Sequence, residues 1–290
     1  MNIQKYMAFI KTVEYGSFTK AAGALGYSQS GISRMIGDLE NEWNVTLLER
    51  GRTGVRLTSD GLLLLPYAQD LCNDYWKMQG QVDEINGMQS GLIRIGTFSS
   101  AATHWLPNII KAFQSDYPDI DYELLLGDYT EIERWILDGR VDCGFLRLPT
   151  HPELDTIFLQ QDKLLVILPA GHSLAAADQF PVKELSNDPF MLLEKNAKSE
   201  ISELLEQWGI SPNIKFTTWD DYAILSMVES GLGISILPQL ILQRIPYDVV
   251  VKEPDIPAYR KICLAMKDQR SASLAVKRFL DYLPYREPQI

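Results

Sequence analysis

The sequence predicts an α+β chain of more than one domain, and three observations carry that expectation. Short amphipathic helices and a basic strand–turn–strand segment fill the first 58 residues. An apolar heptad then runs through 59–86, and beyond residue 91 strand and helix patterns alternate. At 290 residues the chain is long for one core, and 46% apolar with 22% charged residues is a globular composition.

Tyr6, Phe9, Ile10 and Val13 recur at i, i+3, i+4 and i+7, the stripe of an amphipathic helix. Gly16 is placed to end it, and Ser17 to cap a second, Ala-rich helix over 18–25 that closes at Gly26. Ser28 can cap a third helix, with Ile32, Met35, Ile36 and Leu39 on its buried side. Gln29, Ser30, Ser33 and Arg34 lie opposite. Asn44 tolerates a left-handed ending, after which 45–48 read as a short strand and 50–56 as a basic two-glycine turn. This order of elements is the plan of a winged helix-turn-helix.

Thr58 is placed to cap a long helix reaching about Asn86. Leu64, Ala68, Leu71, Tyr75, Met78, Val82 and Ile85 follow a 4-3 spacing, the seam of a helix that pairs with another helix. Leu62, Leu63 and Trp76 add apolar bulk off the seam, which favours pairing over a single amphipathic core helix. Pro66 is expected to kink this helix or end its first turn. Positions 87–91, bounded by glycines, read as a hinge.

Strands are then expected at 92–97, 122–126, 143–146, 164–168, 190–193, 214–216, 233–237 and 262–266. Helices are expected at about 106–117, 130–138, 199–208, 221–230 and 272–282. Such alternation implies parallel sheets covered by helices on both faces.

Charge is distributed unevenly. The net value is −11, yet residues 1–58 carry seven basic and five acidic side chains, while 59–90 and 91–290 are both strongly acidic. Only the first segment can approach phosphate favourably. The cysteines Cys72, Cys143 and Cys263 are scattered and odd in number, as for buried thiols in a reducing compartment. No apolar run reaches the roughly 18–20 residues of a membrane span, and the N-terminus lacks a signal-peptide plan. The expected location is the cytoplasm, with no membrane partner.

Catalytic signatures are absent from the sequence. His104, His151 and His172 lie far apart without metal-ligand spacing, and there is no GxSxG elbow or Walker-type loop. Neither enzymatic activity nor a metal or cofactor is expected.

A helix-turn-helix places the N-terminal part of its second helix in the major groove. Gln29 suits adenine, Arg34 suits guanine or phosphate, and Ser30 and Ser33 suit either. Ser28 brings the helix N-terminus toward a phosphate, and Arg50, Arg52 and Arg56 would meet neighbouring phosphates or the minor groove. The predicted partner is double-stranded DNA.

These residues also carry a resemblance. GSFTKAAGALGYSQSGISRMIGDLE followed by LLERGRTGVRLTSDG resembles the N-terminal domain of LysR-type transcriptional regulators. Ser30-Gly31, Gly37, Trp43-Asn44 and Leu48 depart from the family's usual residues, which leaves the target sequence open. GLIRIGTFSSAATHWLPNIIKAFQSDYPDI, DGRVDCGFL, LLVILPAGHSLA and ESGLGISILP follow in the family's order. The resemblance implies a C-terminal effector domain like periplasmic solute-binding proteins, two α/β lobes with ligand in the cleft. It also implies a homodimer through the 59–86 helix, paired again into a tetramer, with RNA polymerase a candidate further partner.

The expected domains are 1–58 for DNA binding, 59–87 for linkage and dimerisation, and 88–290 for sensing. Lobe one would take 92–162 and 268–290, and lobe two 163–267. Ligands of open α/β sheets bind beyond the carboxyl ends of strands, near helix N-termini. That places Thr97, Ser99, Ser100, Asp128, Thr130 and Arg147 on one side of the cleft, and Lys195, Ser199 and Trp219 on the other. Arg147 and Lys195, with two helix N-termini, would favour an anionic effector. Two alternatives stay open: a regulator answering to a protein partner or to no ligand, its cleft filled by its own side chains, and a winged helix fused to a solute-binding or catalytic domain.

Overall fold

The computed structural model describes residues 2–51, 54–85, 91–195 and 199–287. The chain forms two compact units that divide at about Gly91.

The first unit begins with α1 (Ile3–Tyr15), α2 (Phe18–Leu25) and α3 (Gln29–Trp43). Each is capped by a polar side chain that accepts a backbone N–H: Asn2, Ser17 and Ser28 in turn. Their C-terminal ends close in the left-handed conformation at Gly16 (φ 58°), Gly26 (φ 71°) and Asn44 (φ 54°). Phe9, Ala21, Ile32, Ile36, Leu39 and Leu47 are buried together.

The wing consists of β1 (Leu48–Gly51) and β2 (Gly54–Leu57), paired antiparallel with Glu49 opposite Arg56. Its first strand begins at Leu48, where the sequence pattern had suggested 45–48. The cause is local. The Glu40 carboxylate accepts from the N–H groups of Leu47 (2.7 Å) and Leu48 (3.2 Å), which ties this stretch to the end of α3. Positions 52–53, and with them Arg52, lie outside the described residues.

The long helix α4 (Ser59–Ile85) starts at the Thr58 hydroxyl, which accepts from the Gly61 N–H at 2.9 Å. Gly61 is required by close approach, since a Cβ there would stand 2.1 Å from the Leu47 carbonyl oxygen. Pro66 does not end the first turn, and the helix runs through it. Packing of Leu64, Ala68, Leu71 and Cys72 on the winged core outweighs the roughly 3 kcal/mol that an interior proline costs. The heptad seam therefore divides. Its first half serves the chain's own core, while Leu62, Leu63, Tyr67, Trp76, Met78 and Val82 remain exposed. The side chain of Ile85 and the expected hinge at 87–90 lie outside the described residues.

The second unit holds a sheet of nine strands. In chain order its elements are β3 (Gly91–Thr97), α5 (Ser99–His104), α6 (Leu106–Asp116), β4 (Ile120–Leu126), α7 (Tyr129–Leu137) and β5 (Cys143–Arg147). Next come β6 (Asp155–Pro169), β7 (Pro189–Leu193), α8 (Glu200–Trp208), β8 (Asn213–Thr218), α9 (Asp221–Glu229) and β9 (Ile234–Pro238). The last are β10 (Val249–Lys252), β11 (Tyr259–Met266) and α10 (Leu274–Asp281). Strand order is β4-β3-β5-β11-β6-β9-β7-β8, with β10 added beside β6.

The sheet is mixed, which corrects the all-parallel expectation. β3–β5, β7–β8 and β7–β9 are parallel, whereas β6 and β11 run antiparallel to each other and to their outer neighbours β9 and β5. Strand β6 continues for 15 residues without a break at 162, pairing first with β11 and then with β9. The sequence pattern marks only 164–168, because 155–163 includes Asp155, Gln160, Gln161, Asp162 and Lys163 and lacks a continuous apolar run. Strand β10 was not anticipated at all. Two α/β halves result, joined by the β6–β11 ladder. One is packed around Trp105, Phe113, Phe145 and Phe279, the other around Val166, Phe180, Phe190, Ile201 and Ile236.

Glu40→Ala should destabilise the winged unit by about 1–3 kcal/mol, because it strips a charged acceptor from two backbone donors. Hydrogen exchange at the Leu47 and Leu48 amides, compared between variant and parent, measures the loss.

Candidate nucleic-acid interface and sensing cleft

The third helix divides cleanly by solvent access. Ile32, Ile36 and Leu39 are buried, while Gln29, Ser30 and Arg34 are exposed, with Ser33 half-buried. Ser28 is exposed too, and its hydroxyl both caps Gly31 N–H (3.1 Å) and meets the Ser30 hydroxyl (3.1 Å). Arg56 is exposed on β2. The side chain of Arg50, like Arg52, lies outside the described residues. Lys20, which the sequence reading missed, is exposed in the first turn of α2.

What the arrangement can do follows from shape and charge. A rod with short polar side chains and one arginine on its free face can enter a major groove. Wing residues on an antiparallel ribbon can reach the backbone beside it. The ribbon is held against the helices by Val55 N–H donating to Gly16 O at 3.1 Å.

In the second unit, the elements flanking the β6–β11 ladder converge on one buried cation that the sequence reading did not single out. Arg260 on β11 is 5% exposed. Its Nε donates to Asp162 Oδ2 (2.8 Å), Nη2 to Ser100 Oγ (2.9 Å), and Nη1 to Tyr129 Oη (2.9 Å) and Glu200 Oε1 (3.3 Å). Asp162 faces Arg260 across the ladder, and its other oxygen accepts from Leu240 N–H. Desolvation opposes the Arg260 charge, yet Tyr129, Glu200 and Asp162 together hold its pKa above the ordinary value.

The predicted cleft residues fall around this centre in different roles. Ser100 is buried and accepts from Arg260. Thr97 is buried and donates to the Phe98 carbonyl. Ser99 hydrogen-bonds to Asp221. Asp128 accepts from Glu131 N–H at the start of α7, and Thr130 beside it is exposed. Arg147 pairs with Glu203 at 2.6 Å, Lys195 pairs with Glu131 at 2.8 Å, and the Lys195 ammonium lies 4.3 Å from the Trp219 ring centroid. Ser199 caps α8. Positions 196–198 lie outside the described residues.

The expectation of an anionic effector rests on Arg147 and Lys195. Both cations meant to attract one are matched by carboxylates of the protein itself. The helix N-termini are filled in the same way, since α8 opens with Glu200 and α9 with Asp221. Burial pushes the Asp221 carboxyl up to about 6, against the opposing pull of Arg260 and the Ser99 hydroxyl. Tyr129, desolvated beside Arg260 and Glu200, has its phenol pushed well above the ordinary range. The three cysteines are buried, and burial raises Cys72 to about 11 and Cys263 to about 12, so neither is a reactive thiolate.

Among the described residues no group of three or more His, Cys, Asp or Glu could hold a metal ion, and no helix is long and apolar enough to cross a membrane.

Comparison with known proteins adds an independent line. Residues 3–62 match the model of the bacterial regulatory helix-turn-helix protein, lysR family, and residues 86–286 match the LysR substrate binding domain. The chain is 32% identical to the uncharacterized HTH-type transcriptional regulator YvbU of Bacillus subtilis, over 97% of each chain. It is 33% identical to the probable HTH-type transcriptional regulator LrrA of Synechococcus elongatus, covering 100% of this chain and 99% of the other. Two solved structures share the fold. A full-length OxyR variant of Pseudomonas aeruginosa superposes with a TM-score of 0.76 at 19% identity, covering 99% of this chain and 94% of that one. Full-length CbnR complexed with its target DNA gives 0.68 at 22% identity, covering 99% and 100%.

A raised carboxyl makes a pH-dependent contribution whose sign is fixed. The folded protein holds the Asp221 proton up to about pH 6, whereas the unfolded chain releases it near 3.9, so this stabilisation is complete below about pH 4 and lost as pH rises through 6. Asp221→Asn should therefore stabilise the second unit at about pH 8 by about 1–3 kcal/mol, with the gain vanishing toward pH 4. Thermal melts of parent and variant across that range measure it.

Proposed function

The chain belongs to the LysR family of bacterial transcription regulators, and on that premise we propose how its two units divide the work of reading an operator and sensing a small molecule. It is a DNA-binding transcription regulator with an effector-binding domain, and not an enzyme. The observation that carries the DNA-reading assignment is the split of α3, whose apolar stripe is buried while Ser28, Gln29, Ser30 and Arg34 are exposed. Gln29 and Arg34 read base edges, and Ser30 and Ser33 allow close approach. Ser28, Arg50, Arg52, Arg56 and Lys20 hold the backbone. Residues 1–58 form the DNA-binding domain, 59–87 the linker helix and 88–290 the sensing domain, with lobes at 92–162 plus 268–290 and at 163–267.

Self-association runs along α4. Exposed Leu63, Tyr67, Trp76 and Met78 on one helix are a large apolar surface for a soluble monomer to leave in water, which supports pairing with a second copy and further assembly to a tetramer. Two recognition helices then meet half-sites about 34 Å apart on one face of the duplex. The cleft near Thr97, Ser99, Ser100, Asp128, Thr130, Arg147, Lys195, Ser199 and Trp219 receives the effector, and its change in closure alters the geometry presented to DNA. RNA polymerase is the further partner, and the cytoplasm, where the operator lies, is the place of action. One observation favours a second reading, control without a small molecule: the cleft is crossed by the protein's own ion pairs. A thermal-shift screen of small metabolites separates the two, since an effector must raise the melting temperature of the full chain.

Arg34→Ala should weaken operator binding about 10–100-fold in a mobility-shift titration, with the melting temperature unchanged. Retention of parental affinity would place Arg34 outside the interface. Replacing Leu63 and Tyr67 with Asp should shift the oligomer toward monomer in sedimentation analysis, without loss of helix content.

A further inference from the structure

Arginine has five N–H donors in a rigid planar fork. Four hydrogen bonds engage this fork in Arg260, Nε to Asp162, Nη2 to Ser100, and Nη1 to Tyr129 and Glu200, and Nη2 also forms an ion pair with Asp162 at 2.7 Å. Each of its three nitrogens is engaged by the protein itself. Its partners come from both halves of the unit and from the strand that crosses between them. Asp162 stands on the crossing strand β6, Ser100 and Tyr129 open α5 and α7 in the first half, and Glu200 opens α8 in the second. The guanidinium also stacks over Phe98, 5.0 Å from the ring centroid.

Further ties cross between the halves. Tyr129 Oη donates to Glu200 Oε1 at 3.3 Å, and Arg147 holds Glu203 through two contacts of 2.6 and 3.1 Å. Lys195 holds Glu131 at 2.8 Å, and Ser99 bonds Asp221. Separating the halves would strip partners from a guanidinium and a carboxylate that are both almost fully buried, which is expensive when one side leaves and the other stays.

We propose that Arg260 is a built-in occupant of the cleft, latching the two halves of the sensing domain closed by itself, so that closed is the resting state. An effector works by competing with the latch for Ser100, Tyr129 and Glu200, rather than by pairing with the arginine. The inference rests on the cleft being the sensing site, but its test uses neither DNA nor effector, so the two ideas fail separately.

The experiment is hydrogen exchange with mass spectrometry on the full-length protein and on Arg260→Ala. Peptides covering 98–105, 127–133, 199–204 and 220–226 should exchange slowly in the parent and at least about tenfold faster in the variant. Millimolar methylguanidinium, which refills the vacated site, should restore slow exchange in the variant and leave the parent unchanged. Tyr129→Phe removes one tie with little change of shape and serves where Arg260→Ala folds poorly. It should accelerate the same four segments. Unchanged exchange there in the folded variants would overturn the latch, and so would acceleration spread evenly through the β6–β11 ladder without rescue, which marks a packing defect.

Discussion

A guanidinium removed from water needs acceptors on all its edges, and the Arg260–Asp162 pair meets that demand where the two halves of the second unit join. The pair sits in register across β6 and β11, the only strands whose ladder links one half to the other among the described residues. Once that charge is buried, the starts of α5, α7 and α8 must supply Ser100, Tyr129 and Glu200 in fixed places. Electrostatics and topology therefore coincide where the two strands cross. A densely paired network is rigid, and one with a single member removed carries the desolvation cost of those that remain.

In the first unit the governing constraint is the two-sidedness of α3. Its apolar stripe must face Phe9 and Ala21, which turns Gln29 and Arg34 outward without any further device. Glu40 then fixes where the wing leaves the helix, by holding two backbone N–H groups that would otherwise be free to start a strand earlier. The same economy appears in α4, whose early turns complete the winged core while its outer face keeps large apolar side chains in solvent. Charge follows the division of labour: the segment that meets phosphate is mildly basic, and the acidic remainder resists non-specific contact with it.

Much of this was legible from the chain alone, for a definite reason. Capping residues, αL endings and apolar spacing act within a few residues, so α1, α2 and α3 and their caps at Ser17 and Ser28 could be read directly. The strand–helix order of the second unit was legible too, because buried strands such as 143–147 and 234–238 are short and mostly apolar. What failed to show was whatever depends on a distant partner. Residues 155–163 do not look like a strand until β11 lies beside them, and Pro66 looks like a helix end until the core holds both its flanks.

The site divides along the same line. The polar face of α3 and the strand-to-helix positions Thr97, Ser99 and Ser100 were legible in the sequence, since local pattern says which side of an element meets its surroundings. Whether Arg147 and Lys195 present free charge was decided only by tertiary structure, which sets Glu203 and Glu131 against them. Arg260 carries no local signal, being one of two adjacent basic residues, with Lys261, at the start of its strand. Its role exists only because residues 60 to 160 positions away in the chain converge on one guanidinium, and Coulomb and hydrogen-bond energies depend on distance in space.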